Sequence, residues 1–181
     1  MTSATLARAT GLTLIELLVA TAILAFLLVC APAAYADWIA AQQVANEAHL
    51  LAETLQLARS EAIKHGYRVN VCKSADGLRC DAHAAWQSGW IMYADENRSG
   101  DVDEDEGIIR REPAAPPGVG ITANRPVADY VSYTPLGHAR LLNGALQMGT
   151  FVVCKRGQQA IHVVLANGGR PRIEKTRDPC A

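Results

Sequence analysis

From Leu17 to Tyr35 the chain is apolar without a charged side chain. At 1.5 Å per helical residue this run nearly spans a hydrocarbon core of about 30 Å, so it predicts a membrane segment. Asp37 to His65 follows, rich in Ala, Leu, Gln and Glu and free of Gly and Pro, and it continues the same helix. Leu51, Leu55, Ala58 and Ala62 recur at helical spacing and place an apolar stripe along one face of this second half. Gly66 is a natural C-cap. Pro32 lacks a backbone donor and crowds the preceding turn, so a bend or a loosened turn is expected there.

Beyond Gly66 the pattern shortens to β-rich runs separated by turn residues: Tyr67 to Lys73, Trp86 to Ala94, Gly107 to Arg111, Val119 to Ala123, and Tyr130 to Tyr133. Thr150 to Arg156 and Ala160 to Ala166 flank Gly157-Gln158-Gln159 at a spacing that suits a hairpin. Arg170 to Glu174 adds a last strand, at an edge where Pro171 is tolerated. Pro113 to Gly118 reads as a rigid loop. The expected fold class is α+β, with a long N-terminal helix, half transmembrane and half amphipathic, packed on a C-terminal antiparallel β domain. The boundaries are 1–11 for a short polar leader, 12–36 for the membrane helix, 37–66 for its amphipathic continuation and 67–181 for the β domain.

A chain of 181 residues has room for one domain plus an anchor. Its formal net charge of -1 excludes a globally basic nucleic-acid coat, so polyanion binding requires a local patch. A conventional secretory signal is the competing account of the apolar run, with cleavage after Ala33 or Ala36.

Cys30 lies inside the apolar run, whereas Cys72, Cys80, Cys154 and Cys180 lie beyond it. No Cys-x-x-Cys knuckle is present, and the compartment implied by the anchor is oxidising, so disulfides are preferred to metal ligation. Pairing Cys72 with Cys80 closes a short polar loop, and Cys154 with Cys180 ties the tail to a strand. Three connectivities remain open on sequence grounds.

Asp95, Asn97, Ser99, Asp101, Asp103 and Glu106, with Gly100 at the sixth place, fit the ligand spacing of an EF-hand loop. The flanks read as strands where that motif needs helices, so a solvated acidic turn is the preferred reading and no metal or cofactor is expected. His49, His65, His83, His138 and His162 are scattered, and no catalytic set emerges. Trp38 suits a membrane interface, while Trp86 and Trp90 suit the core.

Gly11-Leu12-Thr13-Leu14-Ile15-Glu16-Leu17-Leu18 resembles the processing site of type IV pilins and type II secretion pseudopilins. The resemblance implies that a prepilin peptidase cuts after Gly11, that Leu12 becomes the methylated N-terminus, and that Glu16 is the hallmark carboxylate. Leu12 departs from the phenylalanine usual there. A lone charge at the apolar end of a membrane helix is costly, so Glu16 is expected to pair with the freed ammonium of a neighbouring subunit.

Ala58-Arg59-Ser60-Glu61-Ala62-Ile63-Lys64-His65-Gly66, the Trp86 to Ile91 strand, Asp95 to Gly100, and Gly149 to Cys154 together resemble the FimT/GspH family over nearly the whole chain. That family comprises minor pilins of type IV pili and a minor pseudopilin of type II secretion. Asn167-Gly168-Gly169-Arg170-Pro171-Arg172 is similar to the Gly-Arg-x-Arg motif of members linked to DNA uptake in transformation. In an extended chain Arg170 and Arg172 project to one side, roughly 6.6 Å apart.

From Phe151 onward, Lys155, Arg156, Arg170, Arg172, Lys175 and Arg177 stand against Glu174 and Asp178, a local charge of plus four. Gly169 and these six cations are the expected DNA-binding set, making salt-sensitive, sequence-independent contacts to double-stranded DNA. The alternative is an arginine-bearing solvated turn on an edge strand. The resemblance thus implies a non-enzymatic subunit that sits in the inner membrane with a periplasmic domain until assembly exposes it outside the cell. Its partners would be other pilins, the prepilin peptidase and DNA. A structural pseudopilin of type II secretion is the other outcome of the same resemblance.

Overall fold

The computed structural model describes residues 13–103 and 106–180, without the side chains of 29–34. Gly11 and Leu12 lie outside the described residues. One helix, α1, runs from Leu14 to His65, and the expected loosening at Pro32 does not end it. Two compact units divide between Trp38 and Ile39.

In the first unit the apolar side chains of α1 from Leu14 to Leu28 are exposed. No helix among the described residues is long and apolar enough to cross a membrane. The span expected over 12–36 is therefore not reproduced by them, because it takes in Leu12 and the undescribed side chains of 29–34.

In the second unit, Val44, Ala48, Leu51, Leu55, Ala58 and Ala62 are buried at alternating four- and three-residue steps, which is the repeat that keeps one face of an α-helix turned to a core. Alanines at three of these places keep the stripe thin. At its end, the Gly66 amide bonds the Ala62 carbonyl at 3.0 Å with φ of 74°, a left-handed cap that glycine adopts without steric cost.

Eight strands follow: β1 (Arg68–Lys73), β2 (Trp90–Asp95), β3 (Ile108–Glu112), β4 (Val119–Ala123), β5 (Tyr130–Tyr133), β6 (Gly149–Lys155), β7 (Gln159–Leu165) and β8 (Pro171–Pro179). They form two four-stranded sheets, ordered β3-β2-β1-β5 and β4-β6-β7-β8, with every pairing antiparallel. Trp86–Ser88 is a 3-10 turn, so the expected Trp86 to Ala94 strand starts only at Trp90.

Val69, Val71, Trp90, Met92, Val131 and Tyr133 from the first sheet share one core with Ile121, Phe151, Val153, Val163 and Leu165 from the second and with the helix stripe. Trp86 stacks edge-on to Phe151 at 5.1 Å, and the Trp90 indole N–H donates to the hydroxyl of the buried Thr54 on the helix. Both tryptophans are packing residues. A smaller cluster of Cys72, Ile91 and Tyr93 forms separately. Disulfides join Cys72 to Cys80 and Cys154 to Cys180.

Candidate functional site

At the start of α1, the Thr13 hydroxyl and backbone N–H both donate to Glu16 Oε2 at 2.9 Å, and the Glu16 N–H reaches back to Thr13 Oγ1 at 3.4 Å. This is a capping box: threonine and glutamate three apart satisfy amides that the first helical turn leaves open. The Thr13-x-x-Glu16 spacing is the local sequence signal of this cap. Glu16 thus has a partner within its own chain.

The basic tail is arranged by the sheet register. Ala166 and Arg170 bracket the β7–β8 turn, with the Ala166 N–H donating to the Arg170 carbonyl at 3.1 Å and the Gly169 N–H to the Ala166 carbonyl at 2.9 Å. Gly169 is buried at φ of 76°, and a Cβ there would lie 2.6 Å from the Gly137 carbonyl oxygen and 2.9 Å from the Ala139 nitrogen. The turn is thereby seated on the segment that follows β5. Arg170 is exposed and forms no ion pair among the described residues. Arg172 donates to Glu174 at 2.6 Å with its side chain 62% exposed.

The remaining expected cations stand elsewhere. Leu165 pairs with Pro171, but Ile161 pairs with Lys175 and Gln159 with Pro179, so Lys175 and Arg177 approach the opposite end of β8. Arg156 sits in the β6–β7 turn at that same opposite end. Seven residues of extended chain place Arg177 roughly 23 Å from Arg170. Lys155 is committed to Gln43 of the helix at 2.7 Å and to the Pro117 carbonyl at 3.0 Å. The set of six cations expected to act together is therefore divided, and Arg170 with Arg172 is the pair at the Gly169 turn.

Three arginines outside the expected set, Arg68, Arg98 and Arg140, line a cavity of about 430 Å³ together with His138 and Thr134. Arg68 opens β1, Arg98 belongs to the acidic loop, and the other three residues follow β5. No local motif joins them. Only an excess of isolated arginines could have drawn attention to these positions.

The acidic loop uses its polar atoms on itself. Asp95 is fully buried and accepts from Asn70 Nδ2 at 2.7 Å and from the Gly100 N–H at 3.4 Å. Asn97 and Ser99 both donate to Asp103, whose carboxyl they hold below its usual range, and Glu106 accepts from the amides of Glu96 and Asn97. Strands flank it on both sides. No group of three or more metal-binding side chains converges among the described residues.

A family model described as type II transport protein GspH matches residues 47–169. Among solved structures, the type IV minor pilin FimU of Pseudomonas aeruginosa matches with a TM-score of 0.58 at 17% identity, covering 77% of this chain and 96% of that one. The minor pseudopilin EpsH from the type II secretion system of Vibrio cholerae matches with a TM-score of 0.51 at 14% identity, covering 75% and 99% respectively. At these identities the two structures establish a shared fold. No curated protein sequence matches.

Proposed function

The chain belongs to the GspH family and carries the pilin fold, and from that premise we propose that it is a minor type IV pilin that holds extracellular double-stranded DNA for uptake. The observation that carries this reading is the Gly169-Arg170-Pro171-Arg172 turn. It carries an exposed arginine, Arg170, that forms no ion pair among the described residues, and it is fixed in place by the burial of Gly169. Phosphate contacts from such a turn give binding without base readout. Lys175, Arg177 and Arg156 form a separate, weaker margin at the far end of β8, and Lys155 contributes through its hold on the helix.

The N-terminal half of α1 supports assembly in a filament. Its exposed leucines and isoleucines need an apolar environment, which the inner membrane supplies first and neighbouring pilin helices supply afterwards. Cleavage after Gly11 by a prepilin peptidase would free an ammonium at Leu12. Glu16 would then be shared between its own Thr13 cap and that positive charge in a neighbour. No enzymatic role is proposed.

The test is duplex DNA binding by the full chain in neutral detergent. Binding at low salt that weakens as salt rises, and falls at least tenfold in Arg170→Ala/Arg172→Ala, supports the reading. No binding at low salt removes the DNA assignment. It would leave the second reading, a structural pseudopilin of type II secretion, which the pairing of Arg172 with Glu174 favours.

A further inference from the structure

Arg68 is 8% exposed, yet no carboxylate among the described residues lies within ion-pair distance of it. Its Nη1 donates to Ser132 Oγ at 2.6 Å and to the Arg140 carbonyl at 3.1 Å, and neither acceptor carries charge. Two acidic residues stand at the adjoining end of β2. Asp95, the cross-strand partner of Arg68, is engaged by Asn70 and Gly100, and Glu96 is exposed, with its negative charge felt by the Tyr67 phenol. A buried charge left without a counter-charge is costly. Here the cost is compounded, because Arg98 and Arg140 line the same cavity as Arg68, together with His138 and the hydroxyl-bearing Thr134.

Three guanidiniums line an open cavity of about 430 Å³, and among the described residues none of them has a carboxylate within ion-pair distance; the Thr134 hydroxyl beside them is spent on the His138 carbonyl at 3.2 Å. Guanidiniums present paired N–H groups that match the oxygens of a phosphate. The position of the cavity specifies which phosphate. Thr134 and His138 lie on the turn whose N–H and carbonyl groups close on each other, with the Thr134 N–H bonding the His138 carbonyl at 3.0 Å. The back of that turn, at Gly137 and Ala139, is where Gly169 is seated. Arg59 of the helix holds the same turn through the Gly137 carbonyl at 2.8 Å. The cavity and the turn that carries Gly169 therefore both adjoin one short, braced turn.

We propose that this cavity is a phosphate-binding subsite for the same DNA duplex that the Gly169-Arg170-Pro171-Arg172 turn contacts; the inference rests on that reading of the turn. A backbone phosphate enters the cavity and is held by Arg98 and Arg140, with Arg68 supplying fixed positive charge from below. The DNA track then runs from β8 across the Thr134 to His138 turn, away from Lys175 and Arg177.

The test measures duplex DNA affinity over a salt series for the full chain in neutral detergent. The variants are Arg98→Gln/Arg140→Gln, Arg170→Ala/Arg172→Ala, and a charge-matched control, Arg79→Gln/Arg125→Gln. Arg68 is left intact, and circular dichroism verifies folding. Losing the one phosphate held by Arg98 and Arg140 should reduce the log–log salt slope by about 1 and weaken binding at least tenfold, with the control near wild type. If only Arg170→Ala/Arg172→Ala weakens binding, or if the control falls equally, the subsite is overturned while DNA binding stands. If the wild-type chain does not bind, both readings fall. If only the cavity variant weakens binding, the cavity is the DNA contact and the Gly-Arg-Pro-Arg assignment falls.

Discussion

Gly169 is packed so closely on Gly137 that a single added methyl at residue 169 would stand 2.6 Å from the Gly137 carbonyl oxygen. The contact joins the β7–β8 turn to the segment after β5, two places far apart in the chain, and both proposed DNA-contacting groups depend on it for their relative position.

Gly169→Ala is expected to destabilise the protein by about 2 to 4 kcal/mol. It forces an L residue into the left-handed region and overpacks a backbone contact. Gly168 has no neighbour within 4 Å of a Cβ and no positive φ, so Gly168→Ala should change the urea midpoint little. Equal effects from the two variants would contradict this account of the turn.

The ion pair between Arg172 and Glu174 competes with any phosphate for the same guanidinium. Glu174→Gln should therefore tighten duplex DNA binding several-fold at low salt, and the gain should shrink as salt screens it. Fluorescence anisotropy with a labelled duplex reads this directly. A loss of affinity would show that the pair orients Arg172 for DNA.

Glu47 is 9% exposed, and its Oε2 has no hydrogen-bond partner among the described residues. Burial, followed by the negative charge of Glu112, pushes its carboxyl above the usual range. The folded state thus holds this proton at pH values where the unfolded chain has released it, so stability falls as pH rises from the ordinary carboxylate range through the raised value. Glu47→Gln should be more stable than wild type by roughly 1 kcal/mol at pH 7, and the difference should vanish below the ordinary carboxylate range. Urea denaturation at the two pH values checks the sign.

The disulfide between Cys154 and Cys180 closes the longer loop, with a sequence separation of 26 against 8 for Cys72 and Cys80. Chain entropy assigns it about 3.5 kcal/mol and the shorter one about 2.5 kcal/mol. Cys154→Ser/Cys180→Ser should lower the melting temperature more than Cys72→Ser/Cys80→Ser. It should also raise amide exchange along β8, which lies at the open edge of its sheet.

Much of this protein could be read from local pattern alone. The Leu51, Leu55, Ala58, Ala62 stripe, the Gly66 cap, the bounds of β4 and β5 and the β6–β7 hairpin each depend on residues within a few positions of one another, and side-chain periodicity and turn chemistry act at that range. The resemblance at Gly11 to Leu18 was equally local. The tertiary structure alone decided where the cations meet. Strand register, with its irregularity between Gln159 and Ile161, separates Arg177 from Arg170, and the fold draws Lys155 inward to a helix residue 112 positions away. Arg68 and Arg140 come together across 72 positions because β5 lies beside β1. Such pairings follow from which strands close the core, and a charge on an exposed or half-exposed side chain leaves no periodic trace that would announce its distant neighbours.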